Sequence, residues 1–434
     1  MLVERDLIGD IKLFLKRKEF LSIVGPRQAG KTTFLEIIKN YLTKELGIEE
    51  DLIKIITFED RRLIFQFDND PPGFISSYLP SRKFNLFYFM IDEFQYLSNG
   101  GQKLKLIFDT MKNIKIIITG SSSLDIKAQA GKFMVGRMLN FNLYPFNFCE
   151  SLRAKERRLE NIYNEHNKYI KNFLFKGKIP KITQGKDLFY ESMIKEYQDF
   201  SIWGGYPAVV LSKTAYERKK VLADIYNAYI LKDIKTLLQL ATEKNLFLLS
   251  QYLASQIGNI IVYQNLSQSA GLDYRKLKKH LAILEETFIC KQIKPFFKNR
   301  QRELAKNPKV YFLDLGFRNL LMENFNSFEK RPDTGAIVEN TVFIRLNELL
   351  RGVDKINFWR TKVGAEVDFI LHIEGMVFPL EVKFSPLLST KISKSLASFI
   401  GHFNPERALV LTRNYWGILR RGNTKVLFAP VYYL

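Results

Sequence analysis

The sequence predicts an α/β fold in which a parallel sheet is covered by helices on both faces. Short apolar runs at residues 20–24, 53–58, 87–91 and 114–119 have the length and composition of buried strands. The segments between the runs are long enough for helices, which is the arrangement found in parallel sheets. The first run also enters a glycine-containing turn, which is followed by a predicted helix at residues 31–46.

Changes in composition divide the chain into four predicted domains. Its 434 residues exceed the usual size of one hydrophobic core. Residues 1–145 contain the apolar runs and form the predicted α/β core. Residues 146–240 are dense in charge, with apolar residues at helical spacing, so we predict a helical lid. Residues 241–330 resemble a winged helix-turn-helix, and residues 331–434 form a separate α/β domain.

The first strand leads into a P-loop pattern, in which two glycines enclose four residues and are followed by Lys31 and Thr32. Gly25 and Gly30 permit a loop whose backbone N–H groups point inward at phosphate, next to the positive end of a helix dipole. Lys31 would reach the β- and γ-phosphates during catalysis, and Thr32 would bind Mg²⁺. A glycine-rich turn that only happens to carry a lysine is the alternative. The predicted ATP-binding residues are Gly25, Pro26, Arg27, Gln28, Ala29, Gly30, Lys31, Thr32 and Thr33.

The second half of the nucleotide site is predicted at the ends of two neighbouring strands. Asp92 and Glu93 follow the apolar run at 87–91. Asp92 would hold the Mg²⁺ shell, and Glu93 would accept a proton from the attacking water. Ser121, after the next run, would sense the γ-phosphate, with an ordinary polar turn as the alternative. Arg137 would bring a positive charge to the γ-phosphate, either in the same subunit or in a neighbouring one. A solvated or salt-bridged arginine is the alternative.

These motifs resemble those of the AAA+ ATPases. They are closer still to a prokaryotic family, mostly archaeal and bacterial, of poorly characterised ATPases with a C-terminal domain of unknown function. The resemblance rests on Gly-Pro-Arg-Gln in the P-loop, Ile-Asp-Glu at 91–93, Thr-Gly-Ser-Ser-Ser at 119–123, Gly-Gly-Tyr-Pro at 204–207 and Glu-Val-Asp-Phe at 366–369. It implies an AAA+ core, a helical lid and a winged helix, and it implies no settled substrate.

A basic helix in the third part is the predicted DNA contact. A short helix near residues 265–272 closes with a glycine, and Asp273 can cap a second helix at 274–286. The formal net charge of +21 would attract polyanions such as DNA. A winged helix that only packs between domains is the alternative, as is a basic surface that maintains solubility or touches anionic lipid. The predicted DNA-binding residues of the second helix are Arg275, Lys276, Lys278 and Lys279.

Two predicted strands near the C-terminus carry a carboxylate pattern. Asp368 lies on the first strand, and Glu381 and Lys383 lie on the next, with Glu339 on a preceding helix. This pattern looks like the core of the restriction-endonuclease-like PD-(D/E)XK nucleases. The resemblance implies that Glu339, Asp368 and Glu381 bind Mg²⁺ and that Lys383 is catalytic. A nucleic-acid-binding remnant without cleavage and a coincidental charge pattern are the alternatives.

Together the patterns predict a cytoplasmic ATPase that uses ATP and Mg²⁺ and engages DNA. No apolar leader begins the chain, and its longest apolar run is too short to span a bilayer, so we expect no membrane partner. One alternative is a nucleotide-dependent switch that binds a protein partner, and another is a Mg²⁺-dependent nuclease regulated by ATP. A homo-oligomer is compatible with the sequence, although no paired-arginine motif indicates a conventional hexameric ring.

Overall fold

Described residues of the computed structural model are 2–121, 133–228, 244–297, 306–350 and 354–434. The chain divides into two units, the first comprising Met1–Phe146 with Glu286–Phe288 and the second comprising Asn147–Glu285 with Ile289–Leu434. Two parts of the sequence predictions lie outside the described residues. They are Ser122 and Ser123 of the Thr-Gly-Ser-Ser-Ser motif, and residues 229–243 at the predicted boundary between lid and winged helix.

A parallel sheet forms the centre of the first unit. Its strands are β1 (Phe20–Val24), β2 (Ile53–Thr57), β3 (Phe87–Asp92), β4 (Ile114–Gly120) and β5 (Met138–Asn142). They lie in the order β2-β3-β4-β1-β5, and each neighbouring pair is parallel. The predicted parallel α/β sheet is confirmed. In this order β4 lies between the strand that precedes the P-loop and the strand that ends at Asp92.

Helices flank the sheet of the first unit. They are α1 (Ile8–Ile11), α2 (Lys31–Lys44), α3 (Arg61–Asn69), α4 (Pro71–Ser76) and α5 (Gly100–Thr110). The apolar residues Phe34, Ile38 and Leu42 recur at helical spacing along α2 and are fully buried in one cluster with Ile23 and Tyr88 of the sheet. Each such buried side chain contributes about 1.5–3 kcal/mol, so α2, and with it the P-loop, is fixed firmly on the sheet.

The sheet of the second unit combines strands from both ends of that unit. Their order is β6-β13-β14-β12-β11-β10-β9. The short β6 comes from the predicted lid, and the others come from the last part of the chain. The bounds are β6 (Gly185–Lys186), β9 (Lys355–Arg360), β10 (Glu366–Ile373), β11 (Met376–Lys383), β12 (Arg407–Thr412), β13 (Tyr415–Arg421) and β14 (Thr424–Pro430). A separate antiparallel pair is formed by β7 (Cys290–Ile293) and β8 (Lys309–Phe312).

Helices make up most of the remainder of the second unit. Those before β7 are α6 (Phe148–Lys155), α7 (Arg157–Lys176), α8 (Tyr190–Trp203), α9 (Pro207–Val210), α10 (Ala215–Tyr226), α11 (Lys244–Ser255), α12 (Tyr263–Ala270) and α13 (Tyr274–Glu286). Those after β8 are α14 (Leu315–Leu321), α15 (Thr334–Leu349) and α16 (Lys394–Phe403). Within the described ranges no helix is both long and apolar enough to cross a membrane.

The helices predicted as a lid pack on the C-terminal sheet, and both belong to the second unit. Tyr163 and Asn167 of α7 donate hydrogen bonds to the Leu434 carbonyl at 2.7 and 2.6 Å. From the sheet, Arg407 donates to the carbonyls of Phe173 and Leu174 at 2.7 and 3.0 Å. Amphipathic spacing reveals that a helix has a buried face but not which element covers it, so the partner of α7 could not be predicted from the sequence.

The Gly-Gly-Tyr-Pro segment packs closely against Asp314, the residue that caps the N-terminus of α14. Gly205 N–H donates to Asp314 Oδ2 at 2.7 Å, while Phe317 N–H donates to Oδ1 at 2.8 Å. Burial raises the pKa of Asp314 to about 6, although these backbone donors lower it. Gly204 has a φ of +76°, and a Cβ there would lie 2.4 Å from Asp314 Oδ1. This motif therefore has a structural reason within the second unit.

Replacing Gly204 by alanine should destabilise the second unit strongly. Gly375 is the matched control, because its φ is +80° but a Cβ at that position would have no neighbouring atom within 4 Å. Gly375→Ala should cost only the left-handed backbone strain, about 1–2 kcal/mol. Gly204→Ala adds the clash with a buried carboxylate, and because Gly204 has ψ −170° it also adds the strain of a backbone region that essentially only glycine adopts, so it should cost clearly more. Urea unfolding followed by circular dichroism measures both, and equal losses would contradict this explanation of the motif.

Candidate functional site

The P-loop between β1 and α2 encloses the side chain of Lys31. Helix α2 begins at Lys31, and Thr32 and Thr33 are exposed in its first turn. Lys31 is buried, and its Nζ donates to the carbonyls of Gly25 and Pro26 at 3.2 and 3.0 Å. The ammonium thus lies inside the loop, where phosphate oxygens would be stronger acceptors than these carbonyls because they are charged.

The carboxylate of Asp92 joins the P-loop helix to the sheet. It is buried at the end of β3 and accepts one hydrogen bond from the hydroxyl of Thr32 and one from the hydroxyl of Thr119. A hydroxyl and a carboxylate are the hard oxygen ligands that Mg²⁺ prefers when it is also bound to phosphates. Thr32 and Asp92 therefore fit the predicted Mg²⁺ role, and the structure brings the two predicted residues together.

Glu93 and Ser121 meet beside Asp92. The Oε2 atom of Glu93 accepts hydrogen bonds from Ser121 Oγ at 3.3 Å and from the side chain of Gln95, and Gln95 Nε2 also donates to Ser121 Oγ at 2.9 Å. Glu93 has a left-handed backbone, with φ 53° and ψ 45°, and its N–H donates to Thr119 Oγ1 at 3.2 Å. Such backbone strain in a non-glycine residue persists only where its surroundings enforce it, and it is concentrated at functional sites.

The predicted carboxylates of the C-terminal region are neighbours in the second unit. Phe369 pairs with Leu380 in the antiparallel strands β10 and β11, so Asp368 and Glu381 occupy the next positions and share one face. Burial raises the pKa of Asp368 well above its usual value, and the negative charges of Glu339 and Glu381 raise it further. Asp368 Oδ2 also accepts a hydrogen bond from the N–H of Val382 at 2.7 Å.

A lysine that the sequence did not single out lies among these acids. Lys309 of β8 is buried, and its Nζ lies 3.2 Å from Glu339 Oε1 and 2.6 Å from Glu366 Oε1. Glu339 Oε1 also accepts a hydrogen bond from the hydroxyl of Tyr311. A second lysine, Lys383, has its Nζ 4.0 Å from Glu381 Oε1. We call Lys309, Glu339, Glu366, Asp368 and Glu381 the acidic centre.

The acidic centre does not have the geometry of the predicted Mg²⁺ site. Among the residues that the structure describes, no group of three or more His, Cys, Asp or Glu side chains is arranged to hold a metal ion. Two of the three predicted ligands contact other groups, since Glu339 is engaged by Lys309 and Tyr311, and Asp368 accepts from a backbone N–H. The assignment of Glu339, Asp368 and Glu381 as metal ligands therefore stays a prediction.

The predicted DNA-binding cations lie on α13, after the short turn that follows α12. Arg275, Lys276 and Lys279 are exposed. Lys276 forms an exposed ion pair of 3.3 Å with Asp273, whose Oδ1 also caps the helix by accepting from the Lys276 N–H. Lys278 differs from the others, because its Nζ lies 3.5 Å from the ring centroid of Tyr263. The structure therefore leaves three of the four cations on the surface and packs one against an aromatic ring.

Comparison with known proteins divides the chain into three parts. Residues 17–152 match the family model described as "AAA domain". This part of the chain is similar to AAA domains. Residues 194–327 match a domain of unknown function (DUF8612), and residues 334–432 match another (DUF4143). The predicted resemblance to AAA-type P-loop ATPases with a C-terminal domain of unknown function is thereby confirmed.

Relatives occur in bacteria and archaea. An uncharacterized protein of Haemophilus influenzae is 24% identical over 428 residues, covering 95% of this chain and 94% of the relative. An uncharacterized protein of Methanocaldococcus jannaschii is 25% identical over 375 residues, covering 84% of this chain and 75% of the relative. Among solved structures, a Walker-type ATPase of Pyrococcus abyssi is 16% identical with a TM-score of 0.42, covering 74% of this chain and 96% of that one.

The sequence predictions missed Arg5, which supports the P-loop. Arg5 is buried, and its guanidinium donates to the carbonyls of Ala29 at 2.9 Å and Tyr144 at 2.5 Å. It also lies 4.9 Å from the ring centroid of Phe146. One arginine thus connects the loop with the segment that follows β5. Nothing in the sequence near Arg5 indicates this contact, since its partners are 24 and 139 residues away.

Gln95 and Thr119 were also missed as site residues. Gln95 follows Asp92 and Glu93 by only a few positions, and Thr119 begins the predicted Thr-Gly-Ser-Ser-Ser motif. Polar residues at strand ends next to a P-loop would therefore have been the signal. Both were overlooked because their role depends on contacts with Glu93 and Asp92 that exist only once the strands pair.

Arg137 lies near the start of β1, whereas the P-loop follows the end of that strand. Its carbonyl accepts from Phe20 N–H at 2.8 Å, where β1 begins, whereas the P-loop follows the other end of that strand. Its Nε lies 3.3 Å from Asp109 Oδ1. The structure therefore does not bring Arg137 together with Lys31 and Glu93 of the same chain, and a role towards a neighbouring copy stays a prediction.

Removing the arginine contact to the P-loop should weaken nucleotide binding. A hydrogen bond to a charged group contributes about 1.5–3 kcal/mol, so Arg5→Met should lower ATP affinity at least about tenfold by loosening the loop at Ala29. Titration with a fluorescent ATP analogue measures the affinity, and circular dichroism checks the fold. Arg17→Met is the matched control, because Arg17 is exposed and pairs with Glu19. A similar loss in both variants would count against this role of Arg5.

Proposed function

We propose that the AAA domain binds ATP with Mg²⁺ and hydrolyses it, with Glu93 as the general base. One observation carries the proposal, namely that the Glu93 carboxylate lies beside Ser121 and next to the Asp92–Thr32 pair. A site that only binds nucleotide needs the P-loop, Lys31 and a place for Mg²⁺. A second carboxylate next to that place, on a strained backbone, is what hydrolysis additionally requires.

Each residue of the site has a separate role in this proposal. Lys31 moves from the loop carbonyls to the β- and γ-phosphates, which offer charged acceptors. Thr32 and Asp92 hold Mg²⁺, which neutralises developing negative charge on the phosphates. Glu93 accepts the proton of the attacking water, and Ser121 reports the γ-phosphate through the hydrogen bonds that it shares with Glu93 and Gln95.

Engagement of DNA is the second candidate function, and the exposed cations of α13 favour it. Arg275, Lys276 and Lys279 are exposed on one short helix. That helix follows α12 after a short turn and precedes the β7–β8 hairpin, an order compatible with a winged helix-turn-helix. The chain has a net charge of +21, which favours binding to polyanions. In this proposal the protein works in the cytoplasm, and its ATP state controls its contact with DNA.

A nucleotide-dependent switch that binds a protein partner is the rival function. The two functions differ in their salt dependence, because binding to DNA releases counterions and weakens steeply as salt increases. They differ also in the effect of DNA on hydrolysis. If duplex and single-stranded DNA leave the ATPase rate unchanged at low salt, the rival is favoured and α13 becomes a packing element.

Replacing Glu93 should separate binding from hydrolysis. Glu93→Gln keeps the size of the side chain but removes the base, so the rate of ATP hydrolysis should fall by about 10²–10⁴-fold while ATP still binds. Lys31→Ala should lose both, because it removes the phosphate ligand. Phosphate release and equilibrium binding of radiolabelled ATP measure the two properties. Full hydrolysis by Glu93→Gln would overturn the assignment of the general base.

Replacing the exposed cations of α13 should weaken DNA binding uniformly across sequences. For the double variant Arg275→Ala/Lys279→Ala, we expect the salt slope of the affinity to fall by about one for each phosphate that the helix no longer neutralises. Fluorescence anisotropy over a salt series measures it. Lys213→Ala/Lys220→Ala is the matched control, since both lysines are exposed elsewhere in the second unit. If the two double variants bind DNA with equal affinity, a contact through α13 is refuted.

A further inference from the structure

The acidic centre contains a cation that belongs to the chain itself. Lys309 contributes an ammonium group with 3% of its side chain exposed. The group lies within 3.2 Å of Glu339 and within 2.6 Å of Glu366. A buried ammonium loses its hydration and is tolerated only where close opposite charges replace the water. The two glutamates provide this compensation, so Lys309 and its partners form one electrostatic unit.

The position of Lys309 conflicts with a divalent cation at the same oxygens. Glu339 Oε1, a predicted metal ligand, faces both Lys309 and the Tyr311 hydroxyl. A metal ion bound to that oxygen would lie close to a buried ammonium, and two like charges repel strongly where water is excluded. Glu381 Oε2 has no hydrogen-bond partner among the described residues.

We propose that Lys309 takes the place of a divalent cation in the acidic centre, so that Mg²⁺ and Mn²⁺ do not bind there. Lys309 begins β8, Glu339 lies on α15 and Glu366 begins β10. The ammonium therefore joins the β7–β8 hairpin to the helix and sheet that would form the nuclease core. The centre then stabilises the second unit, and metal-dependent cleavage is not its chemistry. This inference does not rest on ATP hydrolysis or on DNA binding.

Mn²⁺ binding tests the proposal directly. The protein is prepared without nucleotide in an Asp92→Asn background, which removes the carboxylate of the P-loop site. Electron paramagnetic resonance then measures the free Mn²⁺ during a titration. With Lys309 intact we expect no stoichiometric binding. If one Mn²⁺ binds per chain and the further change Asp368→Asn abolishes this binding, a metal does occupy the centre and the proposal is overturned.

Removing the lysine provides the complementary test. Lys309→Met in the same background uncovers the acids and should gain one Mn²⁺ site, which Asp368→Asn should remove again. Mn²⁺ should also raise the thermal midpoint of Lys309→Met but not that of the background protein. A folded Lys309→Met protein that gains no site would contradict the claim that the lysine occupies a metal position. If this variant does not fold, the titration with Lys309 intact still decides the question.

Discussion

The candidate nucleotide site depends on the hydrogen bonds that Asp92 accepts from Thr32 and Thr119. The carboxylate is buried, and a buried charge is stable only where close donors replace the water that surrounds it in the unfolded chain. The two donors come from α2 and from β4, and the strand order that places β4 between β1 and β3 makes this possible. The same contact aligns the P-loop helix with the strand end that carries Glu93. Sheet order and buried charge thus fix the site together.

Buried carboxylates of the second unit are stabilised by three different kinds of partner. Asp187 accepts hydrogen bonds from Trp416, Tyr432 and Tyr433, so neutral donors satisfy it. Asp314 instead accepts from backbone N–H groups at the start of a helix and at the Gly-Gly-Tyr-Pro segment. In the acidic centre an ammonium group is the partner. Each solution joins segments that are far apart in sequence, and the Asp187 contacts join the predicted lid to the C-terminal part of the same unit.

Sequence reasoning succeeded where the signal is local. The apolar run at residues 20–24 and the following glycine turn predicted β1 and the P-loop, because a buried strand and a phosphate-binding loop each leave a contiguous pattern. Asp92 and Glu93 were predicted for the same reason, and the structure places them at the end of β3. Arg5 and Lys309 could not be found, since an isolated cation in a sequence gives no indication of its partners. In the second unit, strand spacing predicts that the carboxylates share one face, but it does not reveal that Lys309 of another strand lies among them.

Gly25 is required by its neighbour as well as by phosphate. A Cβ at this position would lie 2.0 Å from the carbonyl oxygen of Leu143, and Leu143 is itself held by a hydrogen bond of 2.7 Å from its N–H to the Val24 carbonyl. The close approach belongs to the pairing of β1 with β5, and it involves protein atoms alone. A descendant of this protein that abandoned ATP would therefore still retain glycine here. In deciding whether a degenerate copy is still active, the pair Lys31 and Thr32 is the better guide.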